Sequence, residues 1–159
     1  MALMSGQSVV TTAGPGLLVG RYDHALDPKR RLTVPAGWRD LMGAPPYVYV
    51  FPDPNEKCLN IIPPAEMEGR LEKLRQRALF DKTLGPALRF FGENAEQVML
   101  DVQGRIRIRD RLLAFAQLSD TWVVSGSLTR SQLGTPARMP EAEGIVQARL
   151  AEGCETLAF

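Results

Sequence analysis

Two short stretches of the chain place a carboxylate and a guanidinium at the same spacing: Asp27-Pro28-Lys29-Arg30-Arg31 and Asp101-Val102-Gln103-Gly104-Arg105. An Asp at the start of a tight turn accepts hydrogen bonds from backbone N–H groups further on, and Pro28 presets φ for the second turn position, so both stretches read as hairpin tips. Gly104 suits the left-handed residue that often closes such a loop. Arg30 takes that place in the first stretch, at about 1 kcal/mol of strain if the geometry is kept. An arginine held at a hairpin tip can enter the major groove of double-stranded DNA and pair bidentately with guanine, while neighbouring cations hold phosphates. Lys29, Arg30, Arg31, Gln103, Arg105 and Arg107 are therefore the candidate DNA-binding residues, with Asp27 and Asp101 as the braces of the two turns.

Other chemistries fit the same residues less well. Asp27 and Asp101 could form a proton-sharing carboxylate dyad, but that needs two close carboxylates in a site that raises one pKa. The adjacent Lys29, Arg31 and Arg105 favour both charged forms instead, and neither Asp is followed by a Thr/Ser-Gly loop. Two cysteines, Cys58 and Cys154, and one histidine, His24, are too few and too scattered for a zinc site of the usual composition. Cys58 reads as a small buried apolar residue and His24 as a strand residue beside Tyr22. No catalytic residue, metal, cofactor or small-molecule substrate is expected.

Composition narrows the class without deciding it. The chain has 159 residues, 45% of them apolar, as a packed core requires, and a formal net charge of +1 that gives no chain-wide sign of a polyanion partner. The charge is nevertheless uneven. Asp27 to Arg39 holds a local +3 and Asp101 to Arg111 a local +2, which leaves −4 for the remainder. Arg105, Arg107 and Arg109 alternate with Ile106 and Ile108, predicting three guanidinium groups on one side of a strand. A solvated strand face is the plainer explanation for one such run, and its recurrence favours a shared role. Met1 to Gln7 lacks the cationic flank and apolar stretch of a secretory signal, and no apolar run approaches the roughly 18 residues a membrane span needs, so a cytoplasmic, nucleoid-associated protein is expected.

The elements that must carry the loops recur with them. An offset of 74 residues, without a gap, places Leu26-Asp27 on Leu100-Asp101, Arg31-Leu32 on Arg105-Ile106, Val34 on Ile108, Val48 and Val50 on Trp122 and Val124, and Leu59 on Leu133. Each copy reads as strands around a short helix. The first has half-buried strands at Arg21 to Leu26 and Arg31 to Val34, a helix from Pro35 to Met42, and strands at Tyr47 to Phe51 and Cys58 to Ile62. The second has a helix from Asp110, its N-cap, to Ala116 and a strand from Thr121 to Ser125. Between the copies, Pro63-Pro64 opens a longer helix with Met67, Leu71, Leu74 and Ala78 on one stripe. A weaker helix is predicted from Glu141 to Glu152. The divisions are an extension over 1–16, a first repeat with its following helices over 17–90, and a second repeat with a C-terminal helix over 91–159.

Gly20 to Arg39, with Leu100 to Ile108 and Cys58 to Pro63, resembles the MraZ family of bacterial transcriptional regulators, related to the AbrB-type superfamily, over about residues 20 to 126. The resemblance implies a mainly β fold with packed helices, a double-split β-barrel formed by the two repeats in a pseudo-two-fold arrangement. It also implies ring-shaped homo-oligomers and binding to direct DNA repeats upstream of the division and cell-wall gene cluster, with Arg31 and Arg105 as leading contacts. The chain departs from the family pattern in three places: Arg30 stands for a glycine, Arg109 for a proline, and Ser127 to Leu133 for an aromatic-rich strand. The rival within the superfamily is an antitoxin-like module whose barrel organises a protein-binding arm; it is disfavoured because the chain ends soon after the second copy.

Overall fold

The alternating apolar runs of the two copies combine into one sheet and one ribbon, as seen in a computed structural model that describes residues 16–25, 27–53, 55–118, 120–139 and 147–158. In chain order the elements are β1 (Arg21–Ala25), β2 (Arg31–Thr33), α1 (Ala36–Leu41), β3 (Tyr47–Asp53), β4 (Cys58–Ile62), α2 (Pro64–Ala78), α3 (Gly85–Asn94), β5 (Glu96–Met99), β6 (Arg105–Arg107), α4 (Asp110–Ala116), β7 (Thr121–Gly126), β8 (Ser131–Gly134) and α5 (Gln147–Thr156). Six strands form an antiparallel sheet in the order β1-β7-β8-β4-β3-β5, and β2 pairs with β6 as a separate two-stranded ribbon. The fold is thus mixed α/β.

The pairing is unchanged when the halves are exchanged. Tyr22 lies opposite Val124, and its counterpart Glu96 lies opposite Val50. Leu32 faces Ile106, its own counterpart. The gapless offset ends at the next hairpin: Val50 pairs with Ile61 but Val124 pairs with Leu133, so the second hairpin is two residues shorter. Leu59 and Leu133 are consequently cross-strand partners rather than equivalents, and Asn60 and Gln132 form the self-related pair.

This interleaving corrects the hairpin reading. The strands on either side of each Asp loop do not pair with each other: β1 joins β7, and β2 joins β6, both from the other half. Burial explains the exchange, because Leu32 and Ile106 can enter one core, each 1% exposed, only by lying side by side across the ribbon. Val34, Ile108, Trp38, Leu112, Val50, Val124 and Trp122 close that core between ribbon, helices and sheet. β1 is not half-buried as expected. It is an exposed edge strand whose Tyr22 and His24 cover Trp38 and Trp122, with ring centroids 5.2 Å apart in both pairs.

Three further differences bear on the site. β6 stops at Arg107, so Arg109 is not a strand residue; it is the N-cap of α4. Asp110 is the first residue inside that helix rather than its cap, and it makes no side-chain capping bond. β5, α3 and β8 are additional to the predicted elements; β8 falls where the resemblance is weakest, yet its Leu133 is fully buried. The stripe of α2 packs Met67 and Leu71 with Phe91 of α3 on Phe51 and Ile62, a second small core. Of the predicted 1–16 extension and the 141–152 helix, residues 1–15 and 141–146 lie outside the described residues.

Candidate nucleic-acid interface

Each Asp loop is closed by the same bonds. In the first, Asp27 Oδ1 accepts from the Arg31 backbone N–H at 2.6 Å and Oδ2 from Arg31 Nε at 2.7 Å. In the second, Asp101 Oδ1 accepts from the Arg105 N–H and Oδ2 from Arg105 Nε, both at 2.9 Å. The loop closures also match, with Arg30 N–H donating to Asp27 O and Gly104 N–H to Asp101 O at 2.9 Å. Arg30 has φ +60° and Gly104 φ +79°, so the first loop adopts the left-handed turn despite its side chain. One carboxylate thereby fixes both the backbone and the guanidinium of the residue four positions on. Both arginines use Nε for this bond, and among the described residues their η nitrogens have no hydrogen-bond partner.

The loops sit at opposite ends of the ribbon. Arg31, just after the first loop, lies opposite Arg107; Arg105, just after the second, lies opposite Thr33. Cross-ribbon bonds tie each loop to the other half, from Val34 N–H to Gly104 O and from Ile108 N–H to Arg30 O. This separation adds to the flanking cations in speaking against the proton-sharing dyad. The hydrogen bond from the Arg31 backbone, reinforced by its guanidinium, holds the Asp27 carboxyl below its ordinary value, and Arg105 does the same for Asp101. A dyad requires one carboxyl to be raised.

The ends differ in charge. At the first, Lys29 is exposed without an ion pair among the described residues, Arg30 pairs with Asp110, and exposed Arg107 stands beside Arg31. At the second, Gln103 is exposed and donates its backbone N–H to Asp101. Arg109 and Arg111 are drawn away from any shared arginine face, since both reach Glu96 of β5 at 2.9 Å. The Arg111 contact is a hydrogen bond, whereas Arg109 approaches Glu96 Oε2 without the alignment for one. Sequence reading missed Glu96, whose role depends on β5 lying beside α4, and Arg39, whose guanidinium lies against Gly104. Neither spacing nor the repeat signals these two contacts.

A mixed α/β protein of two interleaved halves, exchanged through a ribbon and with an arginine latch at each ribbon end, is the class that fold and site define. No family model matches the chain. Among curated proteins, transcriptional regulator MraZ of Clostridium beijerinckii is 34% identical over 125 residues, 79% of this chain and 86% of the relative. The proteins of the same name from Alkaliphilus metalliredigens and Clostridium acetobutylicum are 31% identical over 117 residues and 28% identical over 125, covering 80% and 86% of the relatives. The chain belongs to the MraZ family.

Proposed function

We propose that this protein is a sequence-specific regulator of transcription that binds double-stranded DNA through its two Asp-x-x-x-Arg loops, and not an enzyme. Membership of a family whose curated members are named transcriptional regulators supports the class. The observation that carries the mechanism is the repeated latch, which presents Arg31 and Arg105 at the two ends of one ribbon in the same bonding arrangement. Arg31 and Arg105 read bases; Lys29, Arg30, Arg107 and Gln103 hold the DNA backbone beside them; Asp27 and Asp101 orient the two readers. The target is a set of direct repeats upstream of the division and cell-wall gene cluster.

In this reading the six-stranded sheet and the ribbon make an AbrB-like double-split β-barrel with a pseudo-two-fold axis between Leu32 and Ile106, with the repeats divided as 17–90 and 91–159. The protein works as a homo-oligomeric ring in the cytoplasm, on the nucleoid. Avidity supports the oligomer, because two small cationic ends give weak binding that linked copies would multiply. Exposed Leu79 and Phe80, at 77% and 92%, offer apolar surface for it. Among the described residues no helix is long and apolar enough to cross a membrane.

Titration of wild type, Arg31→Ala and Arg105→Ala against DNA from upstream of the protein's own gene, and against a random duplex, tests the mechanism. Each variant should lose about 1–3 kcal/mol on the specific DNA and less on the random one. Folded variants that bind the specific DNA as well as wild type would refute it. A wild type that binds both DNAs equally weakly would favour the protein-interaction module.

A further inference from the structure

The second loop is short of charge where the first is rich in it. Under the exchange of halves, Gln103 stands for Lys29 and Gly104 for Arg30. Yet the space that a side chain at 104 would take is filled. A Cβ placed on Gly104 would overlap the Cζ and Nε atoms of Arg39 and come within 2.7 Å of its Cδ. Arg39 belongs to α1, in the first half of the chain, and its counterpart in α4 is Leu113, a core residue 4% exposed. The guanidinium is therefore a contribution of one half to the loop of the other.

Its charge is also unanswered. Arg30 pairs with Asp110, whereas Arg39 forms no ion pair among the described residues, and its Nε is buried without a hydrogen-bond partner. The desolvated Nε is costly and closed to solvent, so among the nitrogens of Arg39 it is the η pair, not buried and without a partner among the described residues, that is open to an anion. Arg105 lies one residue from Gly104 and is oriented by Asp101, so the anion that would complete Arg39 is the one next to the base that Arg105 reads.

We infer that Arg39 is a phosphate-binding residue of the second loop, supplied in place of the cation missing at position 104. This rests on the reading that the loops meet DNA. The second ribbon end then carries two guanidinium groups, Arg39 and Arg105, where the first has Arg30, Arg31 and the Arg107 opposite it. Gly104 is needed for two reasons, its positive φ and the room it leaves for Arg39.

The test is a binding titration of Arg39→Gln and Arg39→Lys at 50 and 200 mM salt, on the upstream DNA and on a random duplex, with thermal melts as the folding control. Losing one phosphate contact removes about 0.9 from the salt slope, so the ratio of wild-type to Arg39→Gln affinity should fall about 3.5-fold between the two salt concentrations. The loss should be alike on both DNAs, and Arg39→Lys should keep the wild-type slope. A residue that only filled the space beside Gly104 would behave otherwise: Arg39→Gln and Arg39→Lys would both lower the melting temperature and neither would alter the slope, which would overturn the inference. Arg31→Ala and Arg105→Ala run in parallel separate the two ideas. If they lose specific binding while Arg39→Gln keeps the wild-type slope, only the Arg39 assignment fails; if all three bind as wild type, the loop reading fails with it.

Discussion

Asp110 offers a perturbation that should strengthen DNA binding rather than weaken it. Its carboxylate pairs with Arg30 at the lysine-bearing end of the ribbon, with side-chain exposures of 50% for Arg30 and 81% for Asp110. A pair this exposed contributes only about 0.2–1 kcal/mol to stability. An acidic residue in the first turn of a helix adds roughly 0.3–1 kcal/mol more. Asp110→Asn should therefore lower the melting temperature by only a few degrees, at roughly 2–4 °C per kcal/mol for a chain of this size. The effect on DNA has the opposite sign, because the substitution frees the Arg30 charge and removes an anion that repels phosphate. Releasing Arg30 from the carboxylate that competes for it strengthens its hold on phosphate and steepens the salt slope by up to about 0.9, so the gain in affinity over wild type should be larger at 50 than at 200 mM salt, by up to about 3.5-fold. Fluorescence anisotropy on the upstream and random duplexes reads this directly. Weaker binding by Asp110→Asn would refute the reasoning, since it would mean that the carboxylate aims Arg30 at the DNA instead of neutralising it.

The two latches also make the protein acid-sensitive. Both carboxyls are held below their ordinary value of 3.8, so the stability they contribute is present above that value and lost as pH falls through the lower folded values. Urea unfolding should accordingly show a gap between wild type and the Asp27→Asn/Asp101→Asn double variant that is wide at pH 7 and narrows at pH 3. Leu32→Ala, at a residue 1% exposed in the centre of the ribbon, should cost about 2–5 kcal/mol in the same assay, and Ile106→Ala a similar amount. The Cys58 thiol, pushed up to about 12 by burial and then by the charges of Asp53 and Glu56, should be inert to a thiol reagent in the native protein at pH 8 while exposed Cys154 reacts. Both should react after denaturation.

Local bonding was legible in the residues, and long-range pairing was not. The Asp loops, the turn closed by Arg30 or Gly104, the bounds of β4 and the end of α4 follow from short-range chemistry, and the structure shows each of them. Which strands pair does not follow, because two strands joined by a tight turn look the same in sequence whether they pair with each other or separate into different sheets. The exchange is set by Leu32 and Ile106 burying together, a contact between residues far apart in the chain. The alternation from Arg105 to Arg109 misled for a related reason: period-two spacing marks a strand, but the Arg109 backbone leaves the ribbon to cap α4, and Glu96 then engages its side chain. The repeat was visible because its apolar matches survive. Its two-residue contraction was hidden, because the gapless offset sets Leu59 on Leu133, two apolar residues that are in fact paired across the sheet.

Duplication with divergence has a consequence for how such a protein would meet DNA. A strictly two-fold ribbon would present identical ends and fit a palindromic site, since the symmetry of a site mirrors that of the protein bound to it. Here the backbone keeps the symmetry and the charges break it. Lys29, Arg30, Arg31 and Arg107 gather at one end, while the other has Arg105, with Arg39 brought in from the opposite half. On the proposed reading, a ribbon polarised in this way would distinguish the two directions along a duplex, because reversing it would exchange the cation-rich end for the poorer one. Copies of such a protein arranged head to tail in a ring would all point their richer ends the same way along the DNA. Direct repeats, unlike inverted ones, provide identical sites in that orientation.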